Sequence, residues 1–328
     1  MPSCSALQSS IWGTAEITAN DVPTVSHRIE YFALRALSLT SLTIRNKDPN
    51  AIARTQSSIA ISLDKKRWFI FNASPDLRQQ LWNNPELMPS AEDPLRYSPI
   101  MGVLLTNADV DHTAGLINLR ESQSFNLYGT ERVLGVLQSN TIFNVLNPKF
   151  VKRNPVKLNE PIPLKYTDNQ ESGITVTPFA VPGKVALWLE DESKGSDFGS
   201  VEEDTIALEV KGPEGNTEFF YIPGCANMPD WLKDRVDNSN LILFDGTLWT
   251  DDEMIKENVG IKTGQRMGHM SMSGDEGSIE AFKNLNIKRK IFIHINTTNP
   301  ALLENSSERK IANEAGWEIA YDTMEIEI

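Results

Sequence analysis

Apolar residues along this chain fall into short runs rather than long ones, and most runs are rich in β-branched or aromatic side chains. Residues 58–63 (Ser-Ile-Ala-Ile-Ser-Leu) and 67–71 (Arg-Trp-Phe-Ile-Phe) flank the polar turn Asp64-Lys-Lys66, a pattern that predicts a β-hairpin. The next segment, from Asn72 to Leu81, predicts a helix with Ser74 as N-cap, Pro75 at the first helical position and Asp76 suited to the helix dipole. Further strands are predicted over 100–105, 125–128, 174–181, 206–210, 218–222, 241–244, 290–295 and 317–321. Helical patterns lie at 114–119, 131–138, 230–236, 252–257, 278–285 and 307–315. Strands outnumber helices, yet helices recur often enough to cover sheets. A layered α/β protein of two mixed sheets with outer helices fits this order better than a pure sandwich.

Outside those runs the pattern thins. Residues 1–50 are polar and without a convincing period except for a short amphipathic stretch at 29–37, so they are read as an atypical N-terminal segment ahead of a domain spanning 51–328. Residues 191–204 are charged and rich in Gly and Ser, which predicts an exposed loop. There is no internal repeat.

Charge narrows the partners. The 328 residues carry 31 Lys and Arg against 44 Asp and Glu, a formal net charge of −13, and no basic block forms a stripe for phosphates. Nucleic acid is therefore not an expected partner. No apolar stretch approaches the roughly 20 residues that span a bilayer, and the C-terminus has no lipidation motif. The first cation is Arg28, so a signal peptide's basic and apolar regions are both missing, and a soluble cytoplasmic protein is expected. Cys4 and Cys225 are too few for a disulfide framework or a cysteine-rich zinc site and read as ordinary thiols.

Candidate chemistry begins at Thr106-Asn-Ala-Asp-Val-Asp-His-Thr-Ala-Gly115, directly after an apolar run. In an extended segment Asn107, Asp109 and Asp111 would point one way, and His112 joins them as the chain turns into a helix, which is a metal-ligand spacing. The competing reading is an Asx-rich turn capping that helix. His27, His112, His269 and His294 are the four histidines. His294 sits in an otherwise apolar strand and must be partnered there, as a ligand or by a backbone carbonyl. His269 lies in a tight loop of glycines and small polar residues, fit to face a cleft. Asp245 ends the run Leu241-Ile-Leu-Phe-Asp245, and the C-terminal ends of strands are where ligand sites gather in α/β sheets; it also suits a plain turn.

Taken together these placements resemble the metallo-β-lactamase fold, an αββα sandwich whose ligands leave successive strand ends. Longer motifs narrow the resemblance. Arg54-Thr-Gln-Ser-Ser-Ile-Ala60, Asn72-Ala-Ser-Pro-Asp-Leu-Arg-Gln-Gln80, Leu105-Thr-Asn-Ala-Asp-Val-Asp-His-Thr-Ala-Gly115, Val181-Pro-Gly-Lys184, Tyr221-Ile-Pro-Gly-Cys-Ala226, Phe244-Asp-Gly-Thr-Leu-Trp-Thr-Asp-Asp-Glu-Met254, Met267-Gly-His-Met270 and Ile293-His-Ile-Asn-Thr-Thr-Asn-Pro300 resemble the PqqB family of pyrroloquinoline quinone (PQQ) biosynthesis, over about residues 53–328. The fold's usual His-x-His-x-Asp-His motif has Asn107 and Asp109 in place of its first two histidines. The surviving half is Asp111, His112, the candidate bridging carboxylate Asp245, and His294, which implies one divalent metal, Fe(II) ahead of Zn. His269 and Asp109 would act beside it as an acid/base group or an additional ligand. The Cys-x-Cys-x-x-Cys cluster with which the family opens, a structural zinc site by its look, is missing from residues 1–50.

The resemblance implies hydroxylation of the tyrosine ring in a Glu-Tyr-derived precursor, with other pathway proteins as partners and room for a homodimer. A carrier of PQQ or a precursor toward the periplasm is the alternative of a different class, and metal-dependent hydrolysis is a third.

Overall fold

The computed structural model describes residues 48–195 and 197–328, all within one compact unit, and the stretch at 29–37, Cys4 and His27 lie outside them. One sheet has five strands in chain order: β1 (Ile59–Ile61), β2 (Trp68–Phe71), β3 (Ile100–Leu104), β4 (Phe125–Thr130) and β5 (Val151–Val156). A second sheet takes β6 (Ile162–Lys165), β7 (Glu171–Ala180), β8 (Ile206–Lys211), β9 (Thr217–Ile222), β10 (Leu241–Asp245), β11 (Arg289–Ile293) and β12 (Trp317–Ile319), laid side by side in reverse order from β12 to β6. Both are mixed: β1 pairs antiparallel with β2 while β2 to β5 run parallel, and β6 to β9 are antiparallel while β9 to β12 run parallel.

Side-chain alternation turns two sheets into four layers. In β2, Phe69 and Phe71 point into the apolar space between the sheets, whereas Ile70 faces the helices outside. β10 and β11 do the same on the other side: Leu241, Leu243, Ile291 and Ile293 fill the central layer, and Ile242, Phe244 and Phe292 the outer one. Helices α1 (Leu77–Asn83), α2 (Val110–Thr113) and α3 (Glu131–Ser139) belong to the first half of the chain. In α3, Val133, Leu134, Val136 and Leu137 are buried, and the Thr130 hydroxyl caps it by accepting the Val133 N–H at 3.2 Å. The later helices are α4 (Asp230–Val236), α5 (Glu253–Lys256), α6 (Gly264–Met267), α7 (Ser278–Ala281) and α8 (Ser307–Glu314). No helix among the described residues is long and apolar enough to cross a membrane.

The expected layering of two mixed sheets under helices is what the chain adopts, with local departures. β5 and β6 were not expected from the sequence. Each is an outermost strand among the described residues, and each carries a proline (Pro155, Pro163) that obscures the strand pattern but costs little at a sheet edge. Ser74 does not cap a helix. Its N–H donates to the Ser58 hydroxyl and its own hydroxyl to Gln80, while Asp76 accepts the Gln56 N–H, so α1 starts at Leu77. The helix expected at 114–119 is a 3-10 turn behind α2, and that expected at 278–285 is only the short α7.

Aromatic packing carries the outer layer of the larger sheet. Trp317, fully buried, stacks on Phe292 at 3.8 Å between centroids and meets Phe282 edge-on at 5.2 Å. Its indole N–H has no hydrogen-bond partner among the described residues. Trp317→Ala should therefore cost about 3–5 kcal/mol in urea denaturation. Trp317→Phe should cost clearly less, since it keeps an aromatic ring and removes an unpaired buried donor. Equal losses in both variants would contradict this account.

Candidate metal centre

Three chain segments meet at one edge of the sandwich. After β3 the backbone does not stay extended. Asn107 makes an Asx turn, its Oδ1 accepting the Asp109 N–H at 3.0 Å, and the single turn of α2 then gathers Asp111 and His112. The expected alternation of Asn107, Asp109 and Asp111 along an extended strand is thereby corrected: helical turn geometry, not strand pleat, brings the donors together. The loop is clamped to residue 73, with Ala73 N–H donating to His112 O at 2.7 Å and Gly115 N–H to Ala73 O at 2.9 Å. A Cβ at Gly115 would sit 2.1 Å from the Ser74 carbonyl oxygen, so only glycine permits this approach. Asn72, with φ +59°, ties the same edge across the sheets through Thr106 (2.9 Å) and the Tyr221 hydroxyl (3.2 Å).

Asp245 ends β10 and is fully buried. His294 follows β11 rather than lying inside a strand reaching to 295, and it adopts a left-handed conformation, φ +53°. Such a conformation costs on the order of 1–3 kcal/mol in a non-glycine residue and persists only where surroundings impose it. Here Gly246 N–H donates to Ile293 O at 2.8 Å, and the Thr247 hydroxyl reaches His294 O at 2.9 Å.

The side chains form two groups that share His294: Asp111, His112 and His294, and Asp245, His269 and His294, with ligand atoms in each group within 4.8 Å of one another. His112, His294 and His269 are stacked in a ladder, with centroid spacings of 5.0 and 5.2 Å. Asp111 bridges two rungs, its Oδ1 3.0 Å from His112 Nδ1 and its Oδ2 2.9 Å from His294 Nε2. On the far side Asp245 Oδ2 lies 2.7 Å from His269 Nδ1 and accepts the Cys225 N–H, while Oδ1 accepts the Thr247 N–H and hydroxyl. Asp245 is 3.9 Å from His294 Nδ1 and falls in a different group from Asp111, so the four residues read as one ligand set from the sequence divide between two triads.

Thr247 was missed by sequence reasoning. Its hydroxyl lies 2.8 Å from His294 Nδ1, 3.1 Å from His269 Nδ1 and 2.6 Å from Asp245 Oδ1, a hub joining both triads. Its only sequence signal is its place two residues after a strand-end aspartate. Cys225 lies beside Asp245: burial first, then the Asp245 charge, pushes its thiol pKa up, and its Sγ donates to Asn227 O.

Electrostatics fit a cation here. Burial alone would raise the Asp111 pKa, but His112 and then His294 hold it well below the usual carboxylate range. Asp245 is likewise held low, with His269 and His294 outweighing burial. Burial would lower His294, yet Asp111, Asp245 and Asp109 raise it above the ordinary imidazole value. His294 presents one nitrogen to the Thr247 hydroxyl and the other to a carboxylate oxygen, so a positive centre shared with Asp111 satisfies both. His112 Nε2 is buried without a hydrogen-bond partner among the described residues, an orphaned donor atom of the kind a metal ion would satisfy.

Comparison with known proteins places the chain. Residues 67–295 match the beta-lactamase superfamily domain. Coenzyme PQQ synthesis protein B of Xanthomonas euvesicatoria pv. vesicatoria is 48% identical across 88% of this chain and 93% of its own, and that of Gluconacetobacter diazotrophicus is 48% identical across 86% and 90%. This chain belongs to the PqqB family. Zn(2+)-bound PqqB from Methylobacterium extorquens has the same fold at a TM-score of 0.81 and 43% identity, over 89% of this chain and 93% of that one. A diphosphatase of the PhnP family, 17% identical with a TM-score of 0.58 over 86% of each chain, shares the fold alone. The metallo-β-lactamase architecture and the family expected from the motifs are both met.

Within this PqqB-family site Asp109 stands outside both triads. Its Oδ1 accepts the Leu187 N–H at 2.9 Å, and the Trp188 indole donates to Ala108 O at 3.1 Å, so residues 187–190 strap the Asp/His loop. The strap continues to Glu190, whose carboxylate takes both terminal nitrogens of Arg266 (3.0 and 2.7 Å) and Lys184 Nζ (2.8 Å). Arg266 precedes His269 by three residues, so one strap secures both triads. Arg266 first, with Lys184 and Lys262, holds the Glu190 carboxyl at about 2, below its ordinary 4.5. The folded chain thus binds fewer protons than the unfolded chain between those values, and stability falls as pH drops through them. Glu190 should contribute up to about 3 kcal/mol above pH 4.5. The stability gap between the parent chain and Glu190→Gln should close as pH falls toward 2; a gap that stays constant in pH-dependent denaturation would rule the ion pair out as its source.

Proposed function

We propose that this chain acts in PQQ biosynthesis as a metal-dependent oxygenase, hydroxylating the tyrosine ring of a small Glu-Tyr-derived precursor with Fe(II) as its ion. The observation that carries this reading is composition: each triad holds two imidazoles and one carboxylate. That is the ligand set of non-heme Fe(II) oxygenases, which leaves positions open. Asp111, His112 and His294 would hold the ion, and when bound it would supply the capacity to activate dioxygen.

The chain's own residues do the rest. Asp111, held ionised, keeps a negative charge between its two imidazole neighbours. Thr247 fixes the His294 ring through Nδ1, leaving Nε2 for the ion. Asp245 orients His269 through Nδ1, so that this partly exposed imidazole can exchange a proton with the phenol of a substrate. Asp109 adds negative charge near His294 without joining either triad. The Zn(2+) held by the Methylobacterium extorquens relative, together with the superfamily match, supports a second reading as a zinc hydrolase.

One assay separates these readings. Iron-loaded protein with air, ascorbate and glutamyl-tyrosine should yield a peptide one oxygen heavier by mass spectrometry, and zinc-loaded protein should not. Asp111→Ala and His294→Ala should lose the ion by elemental analysis, and Thr247→Val should weaken metal affinity about ten- to hundredfold. Tight binding of PQQ with no tyrosine oxidation would favour the carrier and sink the oxygenase.

A further inference from the structure

Beside the triads the chain assembles a feature that the ligand chemistry does not use. Three cations, Lys184, Lys262 and Arg266, converge on the single carboxylate of Glu190, at 2.8, 3.6 and 2.7 Å. With Glu192, whose charge also acts on Arg266, counted beside Glu190, they leave one positive charge in excess, in a protein whose net charge is −13 and whose metal-centre loops add Asp109, Asp111 and Asp245. A staple between two loops needs one cation, and Arg266 already fills that role with a two-pronged contact braced on the Phe198 ring at 3.7 Å. Lys262 is held least: its Nζ is the most distant of the three, and its side chain keeps 33% of its surface exposed.

The same strap turns apolar groups outward next to the ligands. Val110, adjacent to Asp111, is 58% exposed, Leu187 54% and Trp188 41%. Hydrogen bonds to Asp109 and Ala108 fix the backbone of Leu187 and the ring of Trp188, so this surface is rigid rather than a trailing loop. A fixed indole face two residues before Glu190, on which the three cations converge, matches a ligand with both an aromatic ring and a free carboxylate.

We propose that residues Val110, Leu187 and Trp188 with Lys184 and Lys262 form the substrate subsite of this centre, taking the ring against Trp188 and a carboxylate at the lysines. This rests on the oxygenase reading for the identity of the substrate, but its test does not require turnover. Titration calorimetry on zinc-loaded, full-length protein would compare glutamyl-tyrosine with its diamide, which has the same ring and no carboxylates. The dipeptide should bind more tightly, by about threefold for each lysine contact at this exposure. Lys262→Gln should remove about threefold of that preference and flatten its dependence on salt while leaving diamide binding in place. Trp188→Ala should weaken both peptides alike, and unchanged melting of each variant would show the fold intact. Equal binding of the two peptides, no binding of either, or a preference unaltered in Lys262→Gln overturns the proposal. A preserved preference with no hydroxylation by iron-loaded protein counts against the oxygenase reading alone.

Discussion

The structure depends on the cost of burying charge. Asp245 has no exposed surface, and it sits at the end of a well-packed sandwich where an isolated carboxylate would be far costlier than any single packing gain. Such groups survive there only in mutual contact. Asp245 meets it with the Cys225 and Thr247 N–H groups, the Thr247 hydroxyl and the His269 ring. Asp111 meets it with two imidazoles. One buried nitrogen of this group, His112 Nε2, has no hydrogen-bond partner among the described residues, which fits a cation as its partner.

Holding these groups together requires loops that do not move. The strand ends alone would not suffice, because β3 belongs to one sheet and β10 and β11 to the other. Cross-sheet ties supply the rigidity: Asn72 with Thr106 and Tyr221, the Ile206 N–H on Thr106 O at 2.9 Å, and the strap from Asp109 through Glu190 to Arg266. Behind the site, Glu253 is buried between the Trp249 N–H and the Thr298 hydroxyl, which joins the loops after β10 and β11. The strained backbone of His294 fits this picture, since a left-handed histidine stays in place only when its neighbours leave it no alternative.

Membership of the PqqB family and of the wider beta-lactamase superfamily sets the chemistry in context. Asn107 makes the turn that opens the Asp/His loop, and Asp109 anchors the strap. His269, from a segment distant in sequence, stacks on His294 and brings a third imidazole to the centre.

Much of this was legible in the residues. Short β-branched and aromatic runs marked the hairpin and most strands, and their order among helical stretches marked the two-sheet layering, because such runs are local properties of the chain. Asp111, His112, Asp245 and His294 stood out because polar groups at strand ends or inside apolar runs demand a partner, and His269 because a tight loop of small residues lets an imidazole face a cleft. The edge strands β5 and β6 were hidden by their prolines, and α1 began later than its capping signal because Ser74 and Asp76 found partners in residues 56–58 and Gln80. Thr247, Glu190 and the left-handed turn at His294 had no signal strong enough to read. Their importance arises from contacts between residues far apart in the chain, and such contacts exist only once two sheets close on each other; the sequence determined which groups needed partners, and the packing of the sheets decided which partners they met.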